Sequence, residues 1–153
     1  MKYLECFLKE GLRLYPSFPY MGRVLDNDLE IDGYKIPKGV SCIVNIYSFH
    51  INPKYFKDHE EFVPDQFMGH DTTRRQPFSY LPFSGGPKNC LGQRFGTVES
   101  KLLLAKVLSR LTIESTRPLN QIKVTFEVIL KARGGEEDTK CGFEDVHRWT
   151  RFS

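Results

Sequence analysis

One stretch limits what this chain can be more than any other: Pro82-Phe83-Ser84-Gly85-Gly86-Pro87-Lys88-Asn89-Cys90-Leu91-Gly92, a glycine-rich, cation-bearing loop that delivers a cysteine to the start of an apolar helical pattern. Unpaired amide N–H groups at a helix N-terminus stabilise negative charge, so Cys90 is placed to act as a thiolate ligand. Gly85, Gly86 and Gly92 carry no Cβ and leave room for backbone to approach a flat ligand. Lys88, two residues before the cysteine, is placed to meet an anionic group on that ligand's edge. Taken alone, the stretch also fits a glycine turn ahead of a helix with a buried structural cysteine. Its context decides between the two.

Upstream, Leu4, Phe7, Leu8, Leu12 and Tyr15 recur at helical spacing over Met1 to Tyr15, and Pro16 with Pro19 ends the pattern. The pattern starts at Met1 without a capping residue, which reads as a chain that begins part-way through a larger unit. Glu10 and Arg13 share one face of this helix, which by itself predicts no more than an exposed ion pair worth a few tenths of a kcal/mol. Gly11 between them weakens the helix by ~1 kcal/mol relative to Ala, so packing has to hold it. From Leu29 to Val44 the pattern alternates, broken by Asp32-Gly33 and by Pro37-Lys38-Gly39, which predicts two hairpins in one small sheet. Asn45 to Ile51 predicts a short helix with His50 near its end, closed by Asn52-Pro53. A lone histidine there, taken by itself, is more often a surface or core residue than a functional one. Pro53 to Phe78 follows neither period and predicts a long irregular segment of the kind that tends to carry function.

After Cys90, the residues Leu91, Phe95, Val98, Leu102, Ala105 and Leu108 form one stripe, which predicts a helix to about Arg110 buried against something. Thr112 to Ser115 and Lys123 to Lys131 read as strands around a turn containing Pro118. The tail from Gly134 is polar, without a clear period, and holds the only tryptophan, Trp149. A length of 153 residues with 40% hydrophobic content suffices for one domain with a modest core. The net charge of +3 comes from scattered basic residues rather than a block, which gives no support to nucleic-acid binding. The four cysteines, Cys6, Cys42, Cys90 and Cys141, contain no C-x-x-C pair, which argues against a zinc site or a disulfide framework and fits a reducing compartment. No apolar run approaches the ~18 residues of a membrane span, and no signal-peptide pattern opens the chain, so the sequence predicts a soluble or at most peripheral chain.

With these residues in view, the order of motifs from Met1 to about Arg133 resembles the C-terminal portion of the cytochrome P450 haem-thiolate monooxygenases. Glu10-x-x-Arg13 is similar to the family's E-x-x-R helix. Phe62-Val63-Pro64-Asp65-Gln66-Phe67 is similar to its irregular segment, and Phe83-x-x-Gly86-x-Lys88-x-Cys90-x-Gly92 to its haem loop. The wording of Tyr3-Leu4-Glu5-Cys6, Leu12-Arg13-Leu14-Tyr15-Pro16 and Pro82-Phe83-Ser84 resembles most the microsomal branch of animals that includes fatty-acid omega-hydroxylases. The resemblance implies an α+β fold class, the C-terminal part of the mainly α cytochrome P450 fold, with small antiparallel hairpins and a haem-side helix after the cysteine loop. Residues 1–133 would form that portion of the domain and 134–153 a divergent polar tail.

The resemblance implies haem b as cofactor with Cys90 as the axial iron ligand, whose electron donation favours O–O cleavage. Phe83 would pack beside the sulfur, Gly86 and Gly92 would shape the loop, and Arg23, His50 and Lys88 would lie near the haem propionates. Glu10 and Arg13 would be structural. Ser17 to Gly22 and the turn around Phe126 to Ile129 would edge the pocket of an apolar small-molecule substrate. Electrons would come from NADPH indirectly, through a reductase whose acidic face would meet Lys88, Arg94 and Lys101. The family implies the endoplasmic reticulum membrane, whereas the chain as written, without an anchor, points to the cytoplasm or leaves its place open. Three departures stand out: Gln66 replaces an arginine expected to complete a triad with Glu10 and Arg13, Lys88 replaces Arg or His, and Gly96 replaces Ala. The resemblance starts at the E-x-x-R helix, so the oxygen-activating helix and half the pocket are not expected here, and no catalytic residue beyond the haem ligand is either. The alternative is a non-catalytic fragment that binds haem weakly or not at all; an unrelated α+β binding module would require three ordered motifs to coincide.

Overall fold

The computed structural model describes residues 2–69, 75–115, 124–126 and 129–132. Helix α1 spans Lys2–Leu14 and buries Cys6, Glu10, Arg13 and Leu14, one face at helical spacing. Two of those four side chains are charged, so the face that must pack inward cannot do so without partners for them. The helix ends where Pro16 leaves no amide to continue it, with the Tyr15 N–H still donating to the Gly11 carbonyl at 2.8 Å. Phe7, beside this face, meets Phe62 edge-on with ring centroids 5.0 Å apart.

The sheet structure departs from the expected pair of hairpins in one sheet. Strands β2 (Leu29–Ile31) and β3 (Tyr34–Ile36) do close a hairpin, around Asp32 and Gly33 with φ of 50° and 83°. The next strand, β4 (Ser41–Asn45), pairs instead with β1 (Tyr20–Val24) in a separate antiparallel sheet, with Tyr20 opposite Asn45 and Val24 opposite Ser41. The Pro37-Lys38-Gly39 turn explains the choice. The Gly39 N–H donates to the Leu25 carbonyl at 2.9 Å and the Leu25 N–H to the Val40 carbonyl at 3.0 Å, so the turn carries the chain back alongside β1 rather than β3.

Helix α2 (Ile46–His50) leaves β4 directly, its start capped by Asn45 Oδ1, which accepts the Ser48 N–H at 3.1 Å. The irregular segment then folds under α1 and includes a 3-10 turn at Pro64–Phe67. Cys6, Phe56 and Phe67 form the buried apolar core, with Tyr55 and Tyr80 packed against it.

Helix α3 (Gln93–Leu108) forms where the apolar stripe predicts it, but no residue of it is buried. Phe95, Val98, Leu102 and Leu103 are all more than half exposed, which corrects the expectation of a buried stripe. Lys101 ties the helix to α1: its Nζ lies 2.8 Å from Glu5 Oε2, while Lys9 Nζ lies 2.8 Å from Glu5 Oε1. Strands β5 (Val124–Phe126) and β6 (Leu130–Ala132) pair antiparallel where one strand was read from Lys123 to Lys131, and Thr112 to Ser115 is not strand. Pro118, Cys141, Trp149 and the tail from Gly134 lie outside the described residues. Helices and small antiparallel sheets together match the α+β expectation in its broad form.

Candidate functional site

The cysteine loop is built from a closed turn. The Cys90 N–H donates to the Phe83 carbonyl at 2.9 Å, and the Ser84 N–H to the Leu81 carbonyl at 3.2 Å. Between these points the chain reverses through Ser84 at φ 66° and Gly86 at φ 78°, left-handed values that Gly86 adopts without the steric cost a side chain would carry. Gly85 serves closeness instead: a Cβ there would stand 3.0 Å from Leu81 Cδ2 and 3.2 Å from the Phe78 ring. Gly92 is the N-cap position of α3, and the Cys90 carbonyl accepts the Gln93 N–H at 3.3 Å. The outcome is a free, exposed thiol at the mouth of α3. Beside it Leu91 is fully exposed, and Phe95 is 73% exposed one helical turn on.

Arg23 pins the loop from outside. Projecting from β1, its Nη2 donates to Ser84 Oγ at 2.9 Å and to the Lys88 carbonyl at 3.0 Å. Arg23 is thus joined to the main chain of Lys88, two residues before Cys90. The docking trio divides: Lys88 and Arg94 are exposed, while Lys101 is engaged with Glu5, whose carboxyl is held down at about 2 by hydrogen bonds from Lys101 and then Lys9. Of the first stretch expected to edge a pocket, Ser17 accepts the Leu130 N–H at 3.0 Å, one residue beyond the end of the second stretch.

Glu10 and Arg13 are not the exposed pair that spacing alone predicts. Both are fully buried. The guanidinium also donates to the carbonyls of His50 (2.9 Å), His59 (2.6 Å) and Glu61 (2.8 Å), so α1 is fastened to the irregular segment through main-chain acceptors. Glu10 Oε1 additionally accepts the Val63 N–H at 2.9 Å and Gln66 Nε2 at 2.8 Å. Gln66 therefore keeps a hydrogen bond to Glu10 where the resemblance expects an arginine. A cation stands nearby: Arg75 lies 4.4 Å from the Phe67 ring centroid and 4.7 Å from that of Phe56, with Nη2 donating to the Gln66 carbonyl at 2.8 Å.

His50 sits elsewhere than expected. It is fully buried, with Nδ1 3.2 Å from the Arg13 carbonyl and Nε2 accepting the Leu81 N–H at 2.8 Å. With both ring nitrogens bonded inside the protein, it has no free nitrogen to offer a propionate, and burial pushes its pKa down to about 4. Tyr80, 5.1 Å from the His50 ring, donates its hydroxyl to the Lys9 carbonyl at 2.8 Å, and burial pushes its phenol up. Sequence reasoning passed over Arg75 and Tyr80. Their only signal was an arginine within the aromatic-rich irregular segment and a tyrosine two residues after its end.

Two cavities flank the loop without Cys90 in their walls. One of about 620 Å³ lies between α1 and α3 and is lined by Leu8, Leu12, Phe83, Gln93 and Gly96 among others. Another of about 450 Å³ lies between β1 and the loop, lined by Met21, Arg23, Val44, Phe78 and Gly86 among others. Among the described residues, no three His, Cys, Asp or Glu side chains converge as a metal site.

Against known proteins, the family model for cytochrome P450 matches residues 1–136. The chain belongs to the cytochrome P450 family. It is 42% identical over 135 residues to Cytochrome P450 4V2 of Rattus norvegicus, covering 88% of this chain and 26% of the relative. Cytochrome P450 4c3 of Drosophila melanogaster is 40% identical over 135 residues, 88% of this chain and 25% of the relative. Lithocholate 6-beta-hydroxylase of Mesocricetus auratus is 36% identical over 132 residues, 86% of this chain and 26% of the relative. The likeness is to the animal branch that the motif wording indicated, and the chain spans about a quarter of the length of these curated relatives. Cytochromes P450 carry haem b on a cysteine thiolate and receive electrons through a reductase. Among the described residues of this cytochrome P450 chain, no helix is long and apolar enough to cross a membrane.

Proposed function

We propose that this chain supplies the thiolate side of a haem-dependent monooxygenase that inserts one oxygen atom from O2 into an apolar substrate, with Cys90 as the iron ligand. The observation that carries the reading is the exposed free thiol of Cys90, held in a closed turn beside the exposed Leu91 and Phe95. A single thiolate suits an iron whose other ligands come from a macrocycle, and an apolar margin suits the ring's flat face. The open space around Gly86, where a Cβ would meet nothing within 4 Å, leaves the approach clear. Arg23 and Lys88 would offer their charges to the propionates; Phe83 would hold the Cys90 amide, and Gly92 would start the helix on the haem side. When bound, the haem supplies oxygen activation, which thiolate donation favours.

The remaining residues would act on position. Arg13 and Glu10 keep the irregular segment under α1, and the Ser17–Leu130 contact would hold together two edges of the substrate pocket. In this reading residues 1–133 form part of the haem domain and 134–153 a tail. The whole protein would work at the endoplasmic reticulum membrane with an NADPH-dependent reductase.

A second reading, a chain that holds haem weakly or not at all and catalyses nothing, draws support from the exposed stripe of α3. Haem reconstitution separates the two. The purified chain is mixed with hemin, reduced and exposed to carbon monoxide. The first reading expects the shifted Soret band of a thiolate-ligated haem, and its loss in Cys90→Ser. Bound haem without that band, or the same band in Cys90→Ser, overturns Cys90 as ligand, and no haem uptake at all favours the second reading.

A further inference from the structure

Between the buried Glu10–Arg13 pair and the cysteine loop stands a side chain whose two ring nitrogens are both bonded inside the protein, away from the propionate role that the resemblance implied. His50 closes α2 and is fully buried. Its Nε2 lies 2.8 Å from the amide nitrogen of Leu81; an amide N–H only donates, so Nε2 carries no hydrogen. The hydrogen of the neutral ring is therefore on Nδ1, which faces the Arg13 carbonyl at 3.2 Å. Arg13 holds the same residue a second time, since its Nη1 donates to the His50 carbonyl at 2.9 Å. His50 is thus locked to α1 at both its ring and its main chain. Its Nε2 bond reaches the entrance of the cysteine loop.

That entrance controls the rest of the turn. The Leu81 carbonyl accepts the Ser84 N–H at 3.2 Å, and the next carbonyl to be used, that of Phe83, accepts the Cys90 N–H at 2.9 Å. From Gly86 to Cys90 every residue is exposed, so the loop has little packing of its own to define it. Its anchors are the Arg23 contacts on one side and the His50–Leu81 bond on the other.

The geometry points to His50 as the positioning residue of the cysteine loop: its unprotonated Nε2 fixes Leu81, and through Leu81 the Phe83–Cys90 turn, to the Glu10–Arg13 unit of α1. What this means for haem rests on Cys90 being the iron ligand, but the tether itself can be read without haem.

The test uses the full chain and two polar variants. His50→Gln places a side-chain oxygen near the position of Nε2, whereas His50→Asn places one near Nδ1 and falls short of Leu81. Amide hydrogen exchange by NMR is expected to be roughly tenfold faster at Leu81 in His50→Asn and to return to within roughly threefold of wild type in His50→Gln, with the α1 amides unchanged in both. With hemin as the probe, the thiolate-type fraction of the reduced carbon monoxide spectrum is expected to fall in His50→Asn and recover in His50→Gln. A wild-type chain that lacks this signal overturns the haem reading alone and leaves the Leu81 result to decide the tether. If neither variant folds, wild type decides through its 15N spectrum: coupling between the Leu81 amide nitrogen and His50 Nε2 supports the tether, and a protonated Nε2 overturns it. Unchanged Leu81 exchange in His50→Asn, or exchange in His50→Gln as fast as in His50→Asn, overturns it as well.

Discussion

Arg13 meets Glu10 edge to edge, Nε donating to Oε2 and Nη2 to Oε1, each at 2.8 Å. Both side chains are fully buried, and among the described residues no buried side-chain nitrogen or oxygen lacks a partner. Such a pair adds little over a well-packed apolar substitute, but breaking it leaves one buried charge without its counterpart. Glu10→Ala is expected to cost about 3–5 kcal/mol, because it strands the guanidinium and removes the acceptor of the Val63 and Gln66 N–H groups. Arg13→Lys is expected to rescue little, since a single ammonium cannot span two carboxylate oxygens and the carbonyls of His50, His59 and Glu61. Urea midpoints of the three chains check both.

Acid should loosen the fold through His50. Burial lowers its folded pKa to about 4, against about 6.5 for an unfolded histidine. Between those values the unfolded chain binds a proton that the folded chain refuses, so stability is fully present above about 6.5 and falls as pH drops toward 4. The loss is expected to approach ~1.4 kcal/mol per pH unit within that window. Urea midpoints at pH 7.5, 6 and 5 should slope less in His50→Gln than in wild type, and equal slopes would rule the effect out.

Arg75 is expected to matter more than an ordinary loop arginine. It stacks on two aromatic rings of the core and bonds the Gln66 carbonyl, so Arg75→Ala loses packing, a cation–π contact and a hydrogen bond together. A loss of ~2 kcal/mol follows, seen as a lower urea midpoint. Arg75→Lys should recover only part of it, because a point charge does not stack as a planar guanidinium does.

Neighbouring glycines of the cysteine loop should fail for different reasons. Gly85→Ala pushes a methyl against Leu81 and Phe78 and is expected to cost ~1–3 kcal/mol by overpacking. Gly86→Ala meets nothing within 4 Å, yet its φ of 78° should cost ~1–2 kcal/mol in backbone strain. Gly86→Asn separates the two causes: asparagine tolerates that backbone conformation, so it should be milder than Gly86→Ala despite its larger side chain. Urea melts of the variants supply the comparison.

Local signals were legible. The spacing of Leu4, Phe7, Leu8 and Leu12, with Pro16 as the stop, gave α1 almost to its ends, and Asp32-Gly33 gave the β2–β3 turn. What failed was long-range. Tyr20 to Val24 carries no hairpin cue because its partner strand begins at Ser41, and no local pattern encodes that pairing. The stripe on α3 told that one face is apolar but not what covers it. His50 illustrates the limit from the other side: the resemblance implied a place near the propionates, whereas its two bonds inward depend on where Arg13 and Leu81 end up in space. Arg75 was missed because stacking on Phe56 and Phe67 follows no sequence interval.

The carbonyls that receive Arg13 have a kinetic consequence. They lie 37 to 48 residues further along the chain, so α1 can coil on its own but its charged pair cannot leave water until residues 50–61 fold back over it. Helix formation is local and needs no such closure, whereas bringing residues 50–61 back to the guanidinium costs the closure entropy of a long loop before its hydrogen bonds repay it. The Glu10–Arg13 pair should therefore consolidate after the folding barrier, and substitutions there should appear mainly as faster unfolding rather than slower folding. A chain of this design would be lost by opening, and its lifetime would be set by how rarely residues 50–61 lift away from the guanidinium.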